Sequence, residues 1–125
     1  MKELKVIFDS SFLMALVESP TTWFEDIVEG VGKFEPVLLD CVREELERLA
    51  SGQGKRARTA RVSLDMASKF QRAPCGTSKA DDEIVSAALG TGGLVATTDR
   101  ELARSLKASH VGVISLRGGR VALPR

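Results

Sequence analysis

Four short runs of apolar and β-branched residues recur along the chain, each about as long as a β-strand. They read LKVIF, PVLLD, GLVATT and VGVISL, and longer amphipathic stretches separate them. In these stretches apolar residues recur every three or four positions. The segment CVREELERLASG, for example, places Val42, Leu46 and Leu49 on one helical face. The pattern therefore predicts strands that alternate with helices.

The segments predicted as helices are SSFLMALVE, TTWFEDIVEGVG, CVREELERLASG, GKRARTARVSLDMASKFQR, residues 80–89 and residues 100–109. In the fourth, the four-residue spacing of Val62, Met66 and Phe70 predicts its buried face. A short extra strand is predicted near 70–72, and RGGRVALPR is predicted as a terminal hairpin turn or tail with Gly118-Gly119 as the turn.

Alternating strands and helices predict a parallel sheet that is covered on both faces. We therefore expect an α/β fold, a three-layer α/β/α sandwich with a parallel sheet of four or five strands. The length of 125 residues fits a single domain over residues 1–125, built around one core.

The composition limits the classes of function. A hydrophobic content of 43% with 28% charged residues is ordinary for a globular protein and excludes a disordered chain. The net charge of +1 gives no general attraction to nucleic acid or membrane, so a charged partner requires a local patch. No apolar run approaches the roughly 20 residues that span a bilayer. We expect a soluble, cytoplasmic protein that does not bind membranes.

Cysteine and histidine are scarce. Cys41 and Cys75 lie far apart without a CxxC motif, and the expectation is two reduced thiols. His110 is the sole histidine, which excludes a His-rich zinc site. Its position between a helical pattern and a strand predicts a surface or loop role rather than a catalytic one.

Acidic residues follow the predicted strands where the strands end. Asp9 directly follows KVIF, and Asp99 directly follows LVATT. In open α/β sheets, ligands bind beyond the carboxyl ends of the strands, so acids placed there should converge. The other acids that the pattern brings towards this edge are Asp40, Glu45, Asp81 and Asp82.

Each acid alone also has a structural interpretation. Asp9, Asp40 and Asp99 suit helix N-caps, and Ser78 with Asp81 has capping-box spacing. Convergence favours a second role, because neighbouring carboxylates repel one another unless a cation lies between them. Oxygen ligands without histidine or cysteine favour Mg²⁺ or Mn²⁺ over zinc. The chemistry indicated is metal-assisted hydrolysis of a phosphodiester.

Four blocks of this chain resemble, in order, those of the PIN domain, a family of Mg²⁺/Mn²⁺-dependent ribonucleases. The blocks are VIFDSSFLMAL, CVREELERL, SKADDEIVSAAL and LVATTDRELARSL, and together they cover nearly the whole chain. The resemblance implies RNA as substrate, a PIN-like fold and endonucleolytic cleavage in RNA processing.

The resemblance also implies roles for individual residues. The acidic quartet that holds the metal and is catalytic would be Asp9, Glu45, Asp81 and Asp99. Asp82 is the rival of Asp81 as a metal ligand. Ser11, with Thr97 or Thr98, would orient the carboxylates or a water molecule through hydroxyl groups.

Basic residues are candidates for gripping RNA phosphates beside an acidic cleft. They are Lys55, Arg56, Arg58 and Arg61 in the segment GKRARTAR, together with Lys79, Arg100 and Arg104. A solvated helix face is the alternative for the GKRARTAR segment. For Trp23, Phe24 and Phe34, packing is favoured over base stacking, and the region 24–38 is a candidate homodimer face.

Several functions remain open at this point. The motifs resemble PIN proteins that process ribosomal RNA precursors more than VapC toxins, so the partner would be a ribosomal precursor particle. A VapC-type toxin paired with an antitoxin is the alternative, and a catalytically silent RNA-binding or assembly protein is another. A phosphorelay receiver is disfavoured because FDSSF has one acid where that fold needs a pair.

Overall fold

A computed structural model describes residues 3–124 of the chain. Its strands are β1 (Leu4–Phe8), β2 (Phe34–Leu39), β3 (Gln71–Ala73), β4 (Leu94–Ala96), β5 (Val113–Arg117) and β6 (Arg120–Ala122). Its helices are α1 (Ser10–Glu18), α2 (Trp23–Val31), α3 (Asp40–Ala50), α4 (Lys55–Met66), α5 (Ala80–Thr91) and α6 (Arg100–Ala108).

The strands form one sheet in the order β3-β2-β1-β4-β5-β6. The first five strands of this order are parallel, and β6 returns antiparallel to β5. Gly118 and Gly119 make the turn with φ values of 56° and 77°, a left-handed backbone that glycine adopts without steric cost. The α/β class and the terminal hairpin are confirmed, and β6 adds a sixth strand to the predicted sheet.

The helices form two groups. Helices α1, α3 and α4 contact one another, whereas α5 contacts α6, β1 and β4. Parallel crossovers are right-handed, and the chain moves one way from β1 to β3 but the other way from β4 to β5. The two groups therefore lie on opposite faces of the sheet, as the three-layer prediction requires. No helix within residues 3–124 is long and apolar enough to cross a membrane.

The core lies around the central strand β1, whose residues Val6, Ile7 and Phe8 are fully buried. The Phe8 ring packs against Trp23 and Phe70 at centroid distances of 5.4 and 5.1 Å. Phe34 is also buried, and its ring contacts Phe24. The preference for packing over base stacking is thus confirmed for Trp23 and Phe34.

The predicted buried face of α4 is correct only in part, since Met66 and Phe70, which follows the helix, pack against the core but Val62 does not. Val62 is 50% exposed, whereas Ala57, Ala60 and Ser63 are buried. These small side chains recur every three residues, so they share a helical face. They let the α4 backbone approach α1 and α3 closely. The prediction of Val62 as a core residue is wrong because it ranked large apolar side chains above small ones.

The expectation of two reduced thiols is also wrong, since Cys41 and Cys75 form a disulfide with their Cα atoms 5.9 Å apart. Strand pairing brings them together, because Leu39 at the end of β2 lies opposite Ala73 in β3. Each cysteine lies two residues beyond its strand. The bond joins the first turn of α3 to the segment that leads into α5.

We expect the disulfide to stabilise the fold, because it closes a loop between residues 34 positions apart in sequence. The chain-entropy relation gives about 3–4 kcal/mol for such a loop. The free energy of unfolding, measured by guanidinium denaturation with and without dithiothreitol, should fall by this amount on reduction. The Cys41→Ser, Cys75→Ser double variant should show the lower stability and no response to dithiothreitol. Equal unfolding midpoints for oxidised and reduced wild type would contradict the prediction.

Candidate active site

Asp9 directly follows β1 and caps α1, and three donors hold its carboxylate. Its Oδ1 accepts from the backbone N–H of Ser10 at 2.9 Å, and its Oδ2 accepts from Ser11 Oγ and Thr97 Oγ1, each at 2.7 Å. The Asp9 backbone N–H donates to the carbonyl of Ala96 in β4 at 2.9 Å. Asp9 is only 8% exposed. The carboxylate therefore has a fixed orientation between the ends of two adjacent strands.

Asp99 lies three residues beyond the end of β4 and is the N-cap of α6. Its Oδ1 accepts from the backbone N–H groups of Glu101 and Leu102 at 2.9 and 3.1 Å. The Asp99 backbone N–H donates to Thr97 Oγ1 at 3.0 Å, so Thr97 contacts both strand-end aspartates. Within residues 3–124 the second oxygen, Oδ2, accepts no hydrogen bond from the protein. That oxygen is free to bind a ligand.

The two predicted orienting threonines differ. Thr97 is buried and donates to Asp9, whereas Thr98 is exposed and offers its backbone N–H to Ser11 Oγ at 3.1 Å. Ser11 thus links the two strand ends, since it also donates to Asp9. The hydroxyl groups next to the Asp9 carboxylate are therefore those of Ser11 and Thr97.

Ser10 is a site residue that the sequence reasoning missed. It is 8% exposed, and its Oγ donates to Glu45 Oε1 at 2.6 Å. Consecutive helical residues point about 100° apart, so Ser10 and Ser11 cannot both face Asp9. Two adjacent serines at the start of α1 therefore indicate that one of the two hydroxyl groups has a partner other than Asp9. Ser10 holds the carboxylate of α3 beside the one at the end of β1.

Asp81 lies in the first turn of α5, within reach of the charges of the other acids. Partial desolvation raises the pKa of Asp81, and the charges of Asp9, Asp99 and Glu45 raise it further. Its sequence neighbour Asp82 has the smallest such effect. The residue as a whole is exposed, so solvent screens part of this repulsion. The charges of Asp9, Glu45 and Asp99 thus act on Asp81 more strongly than that of Asp82 does. We call Asp9, Glu45, Asp81 and Asp99 the acidic cluster.

Burial raises the pKa of Asp9, and the charge of Glu45 adds to the rise. The hydrogen bonds from Ser11, Thr97 and the Ser10 backbone act in the opposite sense but do not cancel it. The folded protein therefore holds this carboxylate at an electrostatic cost. A cation beside Asp9 would reduce that cost.

The carboxylates of the acidic cluster interact through their charges, but their side chains do not surround a common point. Within residues 3–124, no three aspartate, glutamate, histidine or cysteine side chains are close enough together to hold a metal ion. The donor type nevertheless fits a hard divalent cation, since all four groups are carboxylates. The repulsion between Asp81 and the other carboxylates indicates that a cation would be stabilising there.

Two predicted caps have other partners. Leu39 occupies the N-cap of α3, and the carboxylate of Asp40 instead faces Arg43 and Arg72 at 3.6 and 3.4 Å. The capping box predicted from Ser78 and Asp81 is also wrong. Lys79 is the N-cap of α5, and Glu83 accepts the backbone N–H groups of Gly76 and Ser78 at 2.5 and 3.2 Å. Asp81 is therefore not needed as a cap.

The predicted basic residues fall into two places. Lys79 directly precedes α5, and Arg100 directly follows Asp99, so both border the acidic cluster. Arg104 lies one turn further along α6. The others, Lys55, Arg56, Arg58 and Arg61, start α4 after the far end of α3. Arg61 donates to the carbonyl of Ala50 at 2.6 Å. Helix α3 is about 16 Å long, so the basic start of α4 is remote from the strand end at Asp40.

The raised pKa of Asp9 predicts that metal-free Asp9→Asn protein is more stable than wild type near neutral pH. Asparagine also caps helices and carries no charge. Because the folded pKa lies above the ordinary 3.8, wild type loses stability as pH rises from 3.8 through the folded value. Urea denaturation in EDTA should show the variant's advantage widening over this range and vanishing at lower pH. A gap that is independent of pH, or that favours wild type, would contradict the cause.

The sequence and the fold of this chain are similar to those of known proteins. Ribonuclease VapC4 of Methanocaldococcus jannaschii is 27% identical over 118 residues, covering 90% of each chain. The structure of the PIN domain endonuclease Utp24 superposes with a TM-score of 0.79 at 28% identity, covering 95% of this chain and 90% of that one. A domain of a functionally unknown protein from M. jannaschii shares the fold, with a TM-score of 0.66, 16% identity and coverage of 98% and 97%. A family model described as a PIN like domain matches residues 6–119, and this chain belongs to that family.

Proposed function

We propose that this protein is a metal-dependent ribonuclease that cleaves RNA internally. The observation that carries the proposal is the acidic cluster, in which Asp9, Glu45 and Asp99 all bear on the charge of Asp81. The cluster lies where β1 is flanked by β2 and β4, at the point where the strand order reverses. Such switch points are the usual ligand sites of open α/β sheets.

The acidic cluster supplies the ligands for Mg²⁺ or Mn²⁺ in this proposal, with Asp82 as the rival of Asp81. A bound divalent cation lowers the pKa of a water molecule and offsets charge on phosphate oxygens. Glu45 Oε2 and Asp99 Oδ2 accept no hydrogen bond from residues 3–124, so each has its lone pairs available. Two of the four carboxylates in the acidic cluster thus have an oxygen available for a cation.

The surrounding hydroxyl groups determine which carboxylate oxygens are available. Ser11 and Thr97 both donate to Asp9 Oδ2, and Ser10 donates to Glu45 Oε1. These bonds restrict the rotation of the two side chains before any ligand arrives. Orientation of this kind lowers the entropic cost of binding a cation or a phosphate.

The relatives support cleavage of RNA at internal bonds, since one is a ribonuclease and the other an endonuclease. RNA processing, with a ribosomal precursor particle as partner, is the role we favour. The similarity to VapC4 keeps a toxin paired with an antitoxin as the second candidate. A catalytically silent PIN fold that binds RNA or an assembly partner is the candidate from another class. The presence of all four acids supports turnover over the silent alternative.

The remaining contacts belong to the same proposal. We place the protein in the cytoplasm, with Lys79, Arg100 and Arg104 contacting RNA phosphates next to the acidic cluster. A homodimer through the region 24–38 is supported by Phe24, which is 43% exposed although it packs on Trp23. Lys55 and Arg56 lie in the first turn of α4, where positive charge opposes the helix dipole. An RNA phosphate would relieve that conflict.

Replacement of Asp99 by asparagine should abolish metal-dependent cleavage and leave the fold intact. Asparagine keeps the N-cap, because its side-chain oxygen accepts the same two backbone N–H groups. We expect at least a ~100-fold lower cleavage rate on a structured RNA with single-stranded loops in Mn²⁺, since several kcal/mol of charge stabilisation is lost. Asp81→Asn should behave alike and Asp82→Asn should retain activity.

The matched control is Asp65→Asn, which removes one exposed carboxylate on α4. It should cleave at the wild-type rate, and EDTA should stop every active protein. Undiminished cleavage by a highly purified Asp99→Asn protein would refute the site. If Asp82→Asn loses more cleavage activity than Asp81→Asn does, the metal ligand is Asp82 and not Asp81.

The start of α4 generates a separate prediction. Replacement of Arg56 and Arg58 by alanine should weaken RNA binding, because each phosphate contact on a single strand contributes about 0.7 to the salt slope. Fluorescence anisotropy in EDTA over a range of salt concentrations measures both quantities. If the affinity and the salt slope equal those of wild type, the start of α4 is a solvated helix face and does not bind RNA.

A further inference from the structure

A groove runs from the acidic cluster along α6. Its upper part encloses about 490 Å³ between Asp99 and the end of β5. Its lower part encloses about 660 Å³ between the end of α6, β5 and the segment after β6. The two parts share Ala103, Lys107, Ser115 and Arg117, so they form one channel, which we call the α6–β5 groove.

Small side chains leave this groove open. Ala103 on α6 faces Ser115 on β5, and Gly112 and Ala122 line the lower part. Larger apolar side chains of β5 and of the segment after β6 also line the lower part. His110, exposed at the far end, adds a planar ring there, consistent with the surface role predicted for it. The groove is thus a concave surface with small residues in its middle and larger apolar residues in its lower part.

The charge along the groove is mostly positive. Its cations are Arg100, Lys107 and Arg117, all exposed, and its single acid is Asp99 at the upper end. The ion pairs found within residues 3–124 use other cations, namely Lys5, Lys33, Arg43 and Arg72. The groove cations are therefore not neutralised by a neighbouring carboxylate of the described chain, and they suit a polyanion.

The length of the groove sets the size of that polyanion. Helix α6 has 9 residues and is about 14 Å long. A stacked strand advances about 3.4 Å along its axis per nucleotide, so about four stacked nucleotides fit along the helix. Because the groove opens at Asp99, a strand lying in it leads directly to the acidic cluster.

We propose that the α6–β5 groove binds about four nucleotides of single-stranded RNA on one side of the cleaved bond, with Lys107 and Arg117 contacting phosphates. The proposal rests on the ribonuclease function and specifies how the substrate approaches. Bases would pack on the small residues inside the groove, and His110 would offer a stacking surface at its end. This path is separate from the basic start of α4, which lies on the other helix group.

The test is binding of a fluorescein-labelled single-stranded RNA 12-mer to the full chain in EDTA, followed by anisotropy. Lys107→Ala with Arg117→Ala should weaken binding at least tenfold at 0.1 M salt and lower the salt slope by about 1.4, the value for two phosphates. Ala103→Trp fills the groove without changing charge and should weaken binding about fivefold. Circular dichroism checks that each variant is folded.

The matched control removes two exposed cations away from the groove, Arg48 and Lys69, by alanine substitution. It should change affinity less than about twofold. Equal weakening in the control and groove variants, or no effect of Ala103→Trp, would overturn the proposal. Failure of the ribonuclease function appears differently, as groove-dependent binding with no cleavage in Mn²⁺. Cleavage with an unchanged KM in the groove variants would overturn the groove and leave the nuclease standing.

Discussion

The site depends on the parallel pairing of β1 with β4. This pairing places Ala96 beside Phe8, so that the two strands end at the same level and their next residues meet. The Asp9 backbone then bonds to Ala96, and Thr97 reaches the Asp9 carboxylate from the neighbouring strand. Gly93 permits the approach at the other end, since a Cβ there would collide with the carbonyl oxygen of Lys5. Strand register therefore places Thr97, which contacts both aspartates, against the Asp9 carboxylate.

The price of this arrangement is electrostatic. Burial and like charge raise the pKa values of Asp9 and Asp81, so the folded state holds both carboxylates less favourably than the unfolded chain does. The hydroxyl groups of Ser10, Ser11 and Thr97 reduce the cost by donating hydrogen bonds, but they add no positive charge. A fold that retains such repulsion at one edge of its sheet is suited to binding a cation there.

Sequence reasoning could locate Asp9 and Asp99 because it needed only two facts, that strands precede them and that parallel strands end together. It could not find the Cys41–Cys75 disulfide, which depends on the register of β3, a strand of only three residues. The bond between Ser10 and Glu45 requires knowledge of how α1 packs on α3. The inward face of α4 was missed in part for a related reason, since small residues pack there and Val62 faces solvent. Local patterns thus predict strand ends well and contacts between helices poorly.

The most direct test of the acidic cluster as a cation site is a crystal structure grown with Mn²⁺ and measured at a wavelength where manganese scatters anomalously. We predict an anomalous peak bounded by the carboxylates of Asp9, Glu45, Asp81 and Asp99, with ligand distances near 2.2 Å, about the value for hard divalent cations. A peak that includes Asp82 in place of Asp81 would change one ligand and keep the site. A well-ordered site without any peak at saturating Mn²⁺, or a peak elsewhere on the surface, would contradict the account.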